Sequence, residues 1–354
     1  MHRVDACGVE REDLRGFTGR VHVRFRLVTT TTGIGSSIRT TLVVVSLGFG
    51  AIASLATIVA FVGSTWWGFD LLANFRWQLA WVAFFAAVVY SLTTQGVASL
   101  VFLAAVVVNG FVIAPAWTGS QPTGTGEDGI RIVSLDMSDT IDSDGAILRW
   151  LFDSEADLII VSGIAGGRLT PLVAEGSPYD LIAEADPDRP GITIVGRQPY
   201  AFEQVPTDAT GNESLIVVSV PSGGAVTSVI AGWGQIASDA PRADALASRL
   251  ATIGALVDAR SGPMMVVGNL GATRHTHGMR SLLGSTGLRD ATEGSGYLST
   301  WPVSGLPIIG GWVGIPIDTV LMTRELTPFA LDTGPAIGAN HLPVTVVVGA
   351  VADS

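Results

Sequence analysis

Spacing of the apolar residues divides the chain into a front part with no polar face and a back part of short, strand-length runs. From Thr41 to Thr118 the only charged residues are Asp70 and Arg76, so a helix built from any part of this stretch is apolar all round. Three stretches, 41–63, 77–94 and 96–116, approach the roughly 20 apolar residues that a bilayer core requires. They predict three transmembrane helices. Buried core helices are the alternative, although three uncharged helices in succession would overfill a soluble core. Between the first two stretches lie Trp66, Trp67, Trp77 and Trp81. This segment reads as an interfacial turn, because indole is an apolar ring with one polar N–H. Asn109, inside the third stretch, reads as a residue that hydrogen-bonds between helices rather than as a functional site.

The segment GSQPTGTGEDG (119–129) has the composition of a flexible linker. Beyond it, runs rich in Val and Ile alternate with Gly and Pro turns, predicting strands at 130–137, 157–163, 191–196, 214–220, 227–233, 263–269, 318–323 and 343–351. Helices are expected at 142–154, 241–260 and 276–286. The second opens on Pro241 and carries Leu246, Leu250, Ile253 and Leu256 at helical spacing. This mix predicts an α/β domain, with sheets covered by helices on their outer faces. The partition is a tail at 1–40, three transmembrane helices at 41–118, a linker at 119–129 and a domain at 130–354.

Charge assigns sides to these parts. All 20 basic residues of the 354 are arginine. Residues 1–39 carry seven of them against four acids, whereas the loop between the first two apolar stretches carries only Arg76. The positive-inside bias therefore places the N-terminus in the cytoplasm and, after three crossings, the domain outside the cytoplasmic membrane. A cleavable signal peptide is a weaker reading of the first stretch, and two further spans would still anchor the product. Cys7 is the single cysteine, so no intrachain disulfide can form. From Ser120 onward there are twelve arginines against twenty-six acids, a net charge of −14, which disfavours a nucleic-acid partner.

Several local signatures occur in a telling order. WWGFDLLANFRWQLA (66–80), IRIVSLDM (130–137), ADLIIVSG (156–163), RPGITIVGR (189–197) and PMMVVGNLGATRHTHGMRSLLGSTGLRDA (263–291) are followed by STWP (299–302), IPIDTVLM (315–322) and GANHLPVTVVV (338–348). The colinear series, over roughly residues 64 to 350, resembles the endonuclease/exonuclease/phosphatase superfamily, specifically its bacterial membrane-anchored members. The resemblance implies two mixed sheets packed face to face with helices outside. It also implies hydrolysis of phosphate esters or diesters with a divalent cation held by oxygen ligands, a carboxylate that activates water and a histidine that stabilises charge.

Carried over position by position, the motifs are incomplete. Asp136 stands at the family's first-strand asparagine, and Gly163 where the metal-binding glutamate belongs. Asn269 and Gly271 replace the aspartate and asparagine of the GDFN element. Asn340 replaces the aspartate of the closing SDH element, while His341 and its orienting Asp318 are kept. Gly232-Trp233 stands where a strand ends in histidine. An amide cannot accept a proton near neutral pH. The resemblance therefore implies a degenerate, non-catalytic hydrolase fold acting as a binding or scaffolding subunit, with no cofactor and with the lipid bilayer and another membrane or envelope protein as partners. The alternative is a phosphoesterase with altered ligands. It would use Asp136 for Mg²⁺ or Mn²⁺, with Asp318 and His341, on a small phosphoester or lipid headgroup.

Other constellations carry less. Arg274-His275-Thr276-His277 offers two imidazoles with no further zinc ligand nearby in sequence, and reads as a polar loop entering a helix. Gly163, Gly166 and Gly167 lack phosphate-loop spacing, and no lysine exists for a Walker motif.

Overall fold

The computed structural model describes residues 33–94, 96–119, 129–138, 144–207, 214–222, 225–302 and 310–350. Most of the tail, with Cys7, and the linker from Ser120 to Asp128 lie outside the described residues.

The apolar front part forms α1 (Gly33–Val59), a 3₁₀ turn (Ala60–Thr65), α2 (Trp67–Ala73), α3 (Arg76–Thr93), α4 (Ala98–Ile113) and the single turn α5 (Pro115–Thr118). One correction follows for the three expected spans. Only Ser37–Thr65, 29 residues, is long and apolar enough to cross a bilayer alone. The second span qualifies only if α2 and α3 count as one segment, and these are bent by 74° at Asn74–Phe75. The third is the 16-residue α4, about 24 Å long against a hydrocarbon core of about 30 Å. Apolar composition runs on through Gly96, Val97 and Pro115, where the backbone leaves the long helix.

Small residues let these helices approach. Ala53, Ala83 and Ala105 form one buried cluster, and Ala86 and Ala87 pack with Phe102 in another. Asn109 bridges helices as expected, its Nδ2 donating to Thr57 Oγ1 at 2.7 Å. Arg76, which reads in sequence as a loop charge, is instead 1% exposed. Its Nη1 donates to Thr57 O (3.0 Å) and to Asn109 Oδ1 (3.3 Å), and its guanidinium lies over the Phe61 ring.

The back part is two six-stranded sheets. The first contains β1 (Ile130–Asp136), β2 (Leu158–Ile164), β3 (Asp180–Ala183), β4 (Gly191–Gly196), β11 (Leu326–Thr333) and β12 (Val344–Ala350), in the order β11-β12-β1-β2-β4-β3. The second contains β5 (Ala201–Pro206), β6 (Ser214–Ser222), β7 (Ala225–Ala231), β8 (Met264–Asn269), β9 (Arg289–Asp290) and β10 (Asp318–Met322), in the order β5-β6-β7-β8-β10-β9. Two parallel pairs, β1 with β2 and β7 with β8, are each joined through a helix, α6 (Asp144–Asp153) and α7 (Ala240–Ala259) respectively. The remaining pairings are antiparallel. α8 (His277–Thr286) follows β8, and the short α9 (Gly310–Val313) precedes β10.

Strand periodicity distributes the side chains among three cores. Ile132, Ile160, Ile194 and Val346 of the first sheet meet Val218, Val229, Val267 and Val320 of the second in the central layer. The intervening residues face outward: Val133, Leu135 and Ile159 meet Ile147 and Leu151 of α6, while Val266 and Leu321 meet Leu246, Leu250 and Ile253 of α7. α7 is started by Asp239, whose side chain accepts from Arg242 N–H, with Pro241 in its first turn. α8 is stopped by the left-handed Gly287.

Candidate functional site

The same period of two that builds the central layer also builds the site. Asp136 shares the inward face of β1 with Ile130 and Ile132, Asn269 that of β8 with Met265 and Val267, and Asp318 that of β10 with Val320 and Met322. Each stands at the strand end beyond the last apolar layer, and Asp318 is directly paired with Asn269. The polar residues therefore converge at one end of the sandwich, in a cleft of about 200 Å³. Asp136, Asn269, Asn340 and His341 line it together with Ser138, Gln235, Arg242, Trp301 and Ile317.

Asp136 is 1% exposed and carries four donors. Oδ1 accepts from Ser138 N–H (2.7 Å) and from the Ser138 hydroxyl. Oδ2 accepts from Asn269 Nδ2 (2.7 Å) and Trp233 Nε1 (3.1 Å). The orientation of the Asn269 amide is fixed, because its Oδ1 accepts from Gly271 N–H at 2.8 Å. Burial pushes the Asp136 carboxyl above the usual carboxylate range, and nearby Asp318 adds to the rise. His341 and the Ser138 hydrogen bonds pull the other way and lose.

Gly163 lies beside this carboxylate. A bulge between Ser162 and Ile164 in the β2–β4 pairing re-aims the residue, which has φ +73°. A Cβ there would overlap the Ser138 hydroxyl, 2.6 Å from Ser138 N and 2.7 Å from Asp136 Oδ1. Gly271 is equally closed to a side chain, because the carbonyl of Gln235 occupies the space. At both positions neighbouring groups occupy the space that a side chain would need.

On the opposite wall, His341 Nδ1 lies 2.8 Å from Asp318 Oδ2, with the imidazole N–H donating to the carboxylate. The ring stacks on Trp301 at 5.7 Å and 10°. Asp318 Oδ1 is buried without a hydrogen-bond partner among the described residues. One ligand atom from each of Asp136, Asp318 and His341 lies within 4.8 Å of the others, the single such group among the described residues.

The Arg274–His277 loop has another role. Arg274 pairs with Asp290 (3.2 Å) and Glu293. His275 is buried, and desolvation, with Arg274, Arg76 and Arg280 nearby, pulls its pKa from 6.5 down to about 3. Thr273 N–H donates to Asn74 Oδ1 (2.8 Å) and His277 N–H to Asp70 Oδ1 (2.6 Å), so the loop receives the end of α2. The start of α3 holds the other wall. Trp77 Nε1 donates to Trp312 O (2.7 Å), and Gln78 Nε2 to Val313 O and Gly314 O (2.8 Å each). The strand segment at Ile315 then bridges to Trp301, the ring under His341. The elbow at Asn74–Phe75 thus grips both walls of the cleft. Sequence reasoning missed these long-range contacts along with Ser138, Gln235 and Arg242. Trp233 carried a signal, since it follows Gly232 where the resemblance expects a histidine.

Comparison with known proteins yields likeness of structure alone. No family model matches the chain, and no curated relative matches it in sequence. Among solved structures it is similar to humanized TDP2 of D. rerio, at 12% identity and a TM-score of 0.51 over 63% of this chain and 100% of that one. An endonuclease/exonuclease/phosphatase from Beutenbergia cavernae is similar at 16% identity and TM-score 0.50, over 63% of this chain and 72% of that one. One from Bacteroides vulgatus is similar at 11% and 0.50, over 63% and 99%.

Proposed function

From a chain that has the endonuclease/exonuclease/phosphatase fold, we propose a membrane-anchored protein whose cleft binds a ligand or partner without metal-dependent hydrolysis. The observation that carries this reading is the saturation of Asp136. Four hydrogen-bond donors from Ser138, Asn269 and Trp233 point at the carboxylate oxygens that a divalent cation would need. An ion would have to displace N–H and O–H dipoles aimed with their positive ends toward it, so the residues on this wall do not fit the cation that the fold family implies. The filled space at Gly163 excludes the carboxylate that would compensate.

Anchoring is supported by the 29-residue apolar helix and by the exposure of its large apolar residues, Ile52 at 67%, Leu55 at 62% and Ile58 at 66%. The arginine-rich tail supports a cytoplasmic N-terminus, and a single crossing by this helix then puts the domain on the outer face of a bacterial cytoplasmic membrane. The bilayer is then one partner, and another envelope protein fits a scaffolding role.

A second reading, a phosphoesterase with altered ligands, is favoured by the Asp136–Asp318–His341 group and by the unpartnered Oδ1 of Asp318. Calorimetric titration of the full chain in detergent with MgCl₂ and MnCl₂, beside an assay with bis-p-nitrophenyl phosphate, separates the two. The proposal expects no heat in the millimolar range and no metal-dependent turnover. Turnover that is lost in His341→Ala would overturn it in favour of the second reading.

A further inference from the structure

Next to the cleft lies a second cavity of about 220 Å³, between α2 and the facing surfaces of α7 and α8. An apolar cavity of roughly 150 Å³ already accepts a benzene ring in another protein. Its walls are chiefly apolar: Trp67 and Leu71 come from α2, Leu246 and Leu250 from α7, and Ala272 and Gly278 from the loop and helix after β8. Of the polar groups at its rim, Asp70 accepts from His277 N–H and Asn74 from Thr273 N–H, while Ser64, Thr276 and His277 complete the border.

Two features say what fills it. Gly63 and Ser64 line the cavity directly after Phe61 and Val62, which are 44% and 46% exposed and continue the exposed apolar flank of α1. The cavity is therefore continuous along the chain with the surface that meets lipid. It also shares a wall with the polar cleft: Gln235, Ile236 and Arg242 face the cleft, while Ala237 and Ala243 face the cavity. Arg242 is held at this divide by Gln235 Oε1 (2.9 Å), Ser238 Oγ (2.7 Å) and Asp239 Oδ2 (3.1 Å). An apolar cavity thus adjoins, across one shared wall, a cleft in which Arg242 offers a cation beside its partner Asp239, the pair of surfaces that an acyl chain and its phosphate would meet.

We infer that the cavity takes one acyl chain of an anionic bilayer phospholipid, with the phosphate on the Arg242 side. The inference rests on the membrane-anchored reading and adds a ligand class to it. No covalent step is involved.

The test uses the full chain in nanodiscs of phosphatidylglycerol carrying a diazirine near the end of one acyl chain, irradiated and mapped by peptide mass spectrometry. Label is expected on the 243–250 and 272–278 segments as well as on α1 and α4. Ala247 is exposed to the cavity, so Ala247→Phe fills the slot without disturbing the core. It should cut the α7 and α8 label by about tenfold, as forcing extra volume into an occupied cavity does. Ala243→Leu is the second filler, should Ala247→Phe fail to fold. Ala251→Phe, exposed on the same helix outside the cavity, should leave the label unchanged. Label on α1 and α4 with none on α7 and α8, or label that persists in both fillers, overturns the inference and leaves anchoring intact. Absence of label from every helix overturns the anchoring as well. Equal labelling from phosphatidylcholine removes the role of Arg242 and overturns the anionic assignment.

Discussion

The two walls of the cleft have reached opposite ends. On the wall built by β1, β2 and β8, Asp136 has both oxygens occupied, the Asn269 amide is locked at both ends, and the space beyond Gly163 is filled by Ser138. On the wall built by β10 and the loop before β12, Asp318 and His341 keep a close pair, and one carboxylate oxygen still lacks a partner. The first wall satisfies itself, whereas the second keeps a buried carboxylate oxygen with no donor among the described residues. Under the proposed reading, internal hydrogen bonding closes such a site to an ion as effectively as a missing carboxylate does, because a donor placed on a ligand oxygen competes for the same lone pair.

The largest expected effect tests the closed wall. Asp136→Ala would strand the Asn269 amide, the Trp233 indole and Ser138 without their acceptor, at a cost of about 3 kcal/mol or more. Asp318→Ala should cost less, since only one hydrogen bond is removed and an unsatisfied oxygen goes with it. Thermal midpoints of the full chain in one detergent compare the two, and an equal loss would erase the distinction between the walls.

Next comes packing at Gly163. Gly163→Ala should cost about 2 kcal/mol from strain and overlap together. Gly167, at φ +85°, has no atom within 4 Å of a Cβ, so Gly167→Ala carries the backbone term alone. If the two midpoints coincide, the space at Gly163 is not filled. By the same logic, Gly163→Glu combined with Asn269→Asp should not restore Mg²⁺ binding, and calorimetry showing a restored site would mean that the closed wall opens on demand.

His275 sharpens the contrast between the site and the elbow beneath it. With a folded pKa of about 3 against an ordinary 6.5, the unfolded chain binds the extra proton throughout that window. Stability is therefore full above pH 6.5 and falls as the pH drops toward 3, by about 2 kcal/mol at pH 5. His275→Gln should flatten this acid limb while leaving the midpoint at pH 7.5 less affected. An unchanged limb would place the titrating group elsewhere. The smallest effect is that of Asp70→Ala, about 1 kcal/mol for a lost carboxylate at the start of α8, read as faster amide exchange over 273–278.

What the sequence revealed follows the geometry of the sheets. All eight strands expected from apolar runs are present, and all lie inside the sheets, where both faces are covered. The four that were missed, β3, β5, β9 and β11, are the four sheet edges. β5 is exposed or half-exposed along its length, and β11 carries Pro328 with a register shift beside it, so neither offers an apolar run or clean alternation. The site was legible as positions, because Asp136, Asn269, Asp318 and His341 occupy motif places along the chain. Its chemistry was less so. Trp233 reaches a carboxylate 97 positions earlier, and α2 reaches α8 across 207 positions. No local pattern records such contacts. The three-span expectation erred for a related reason: composition counts apolar residues but not the 74° bend that divides them.

That bend has a mechanical meaning. One arm of the elbow ends on the loop after β8, the other on the segment that braces Trp301. The two arms act as the handles of a pair of tongs whose jaws are the cleft walls. The elbow thereby ties the loop that follows Asn269 and the segment that braces Trp301 to one short stretch of chain, residues 70 to 78, by direct hydrogen bonds.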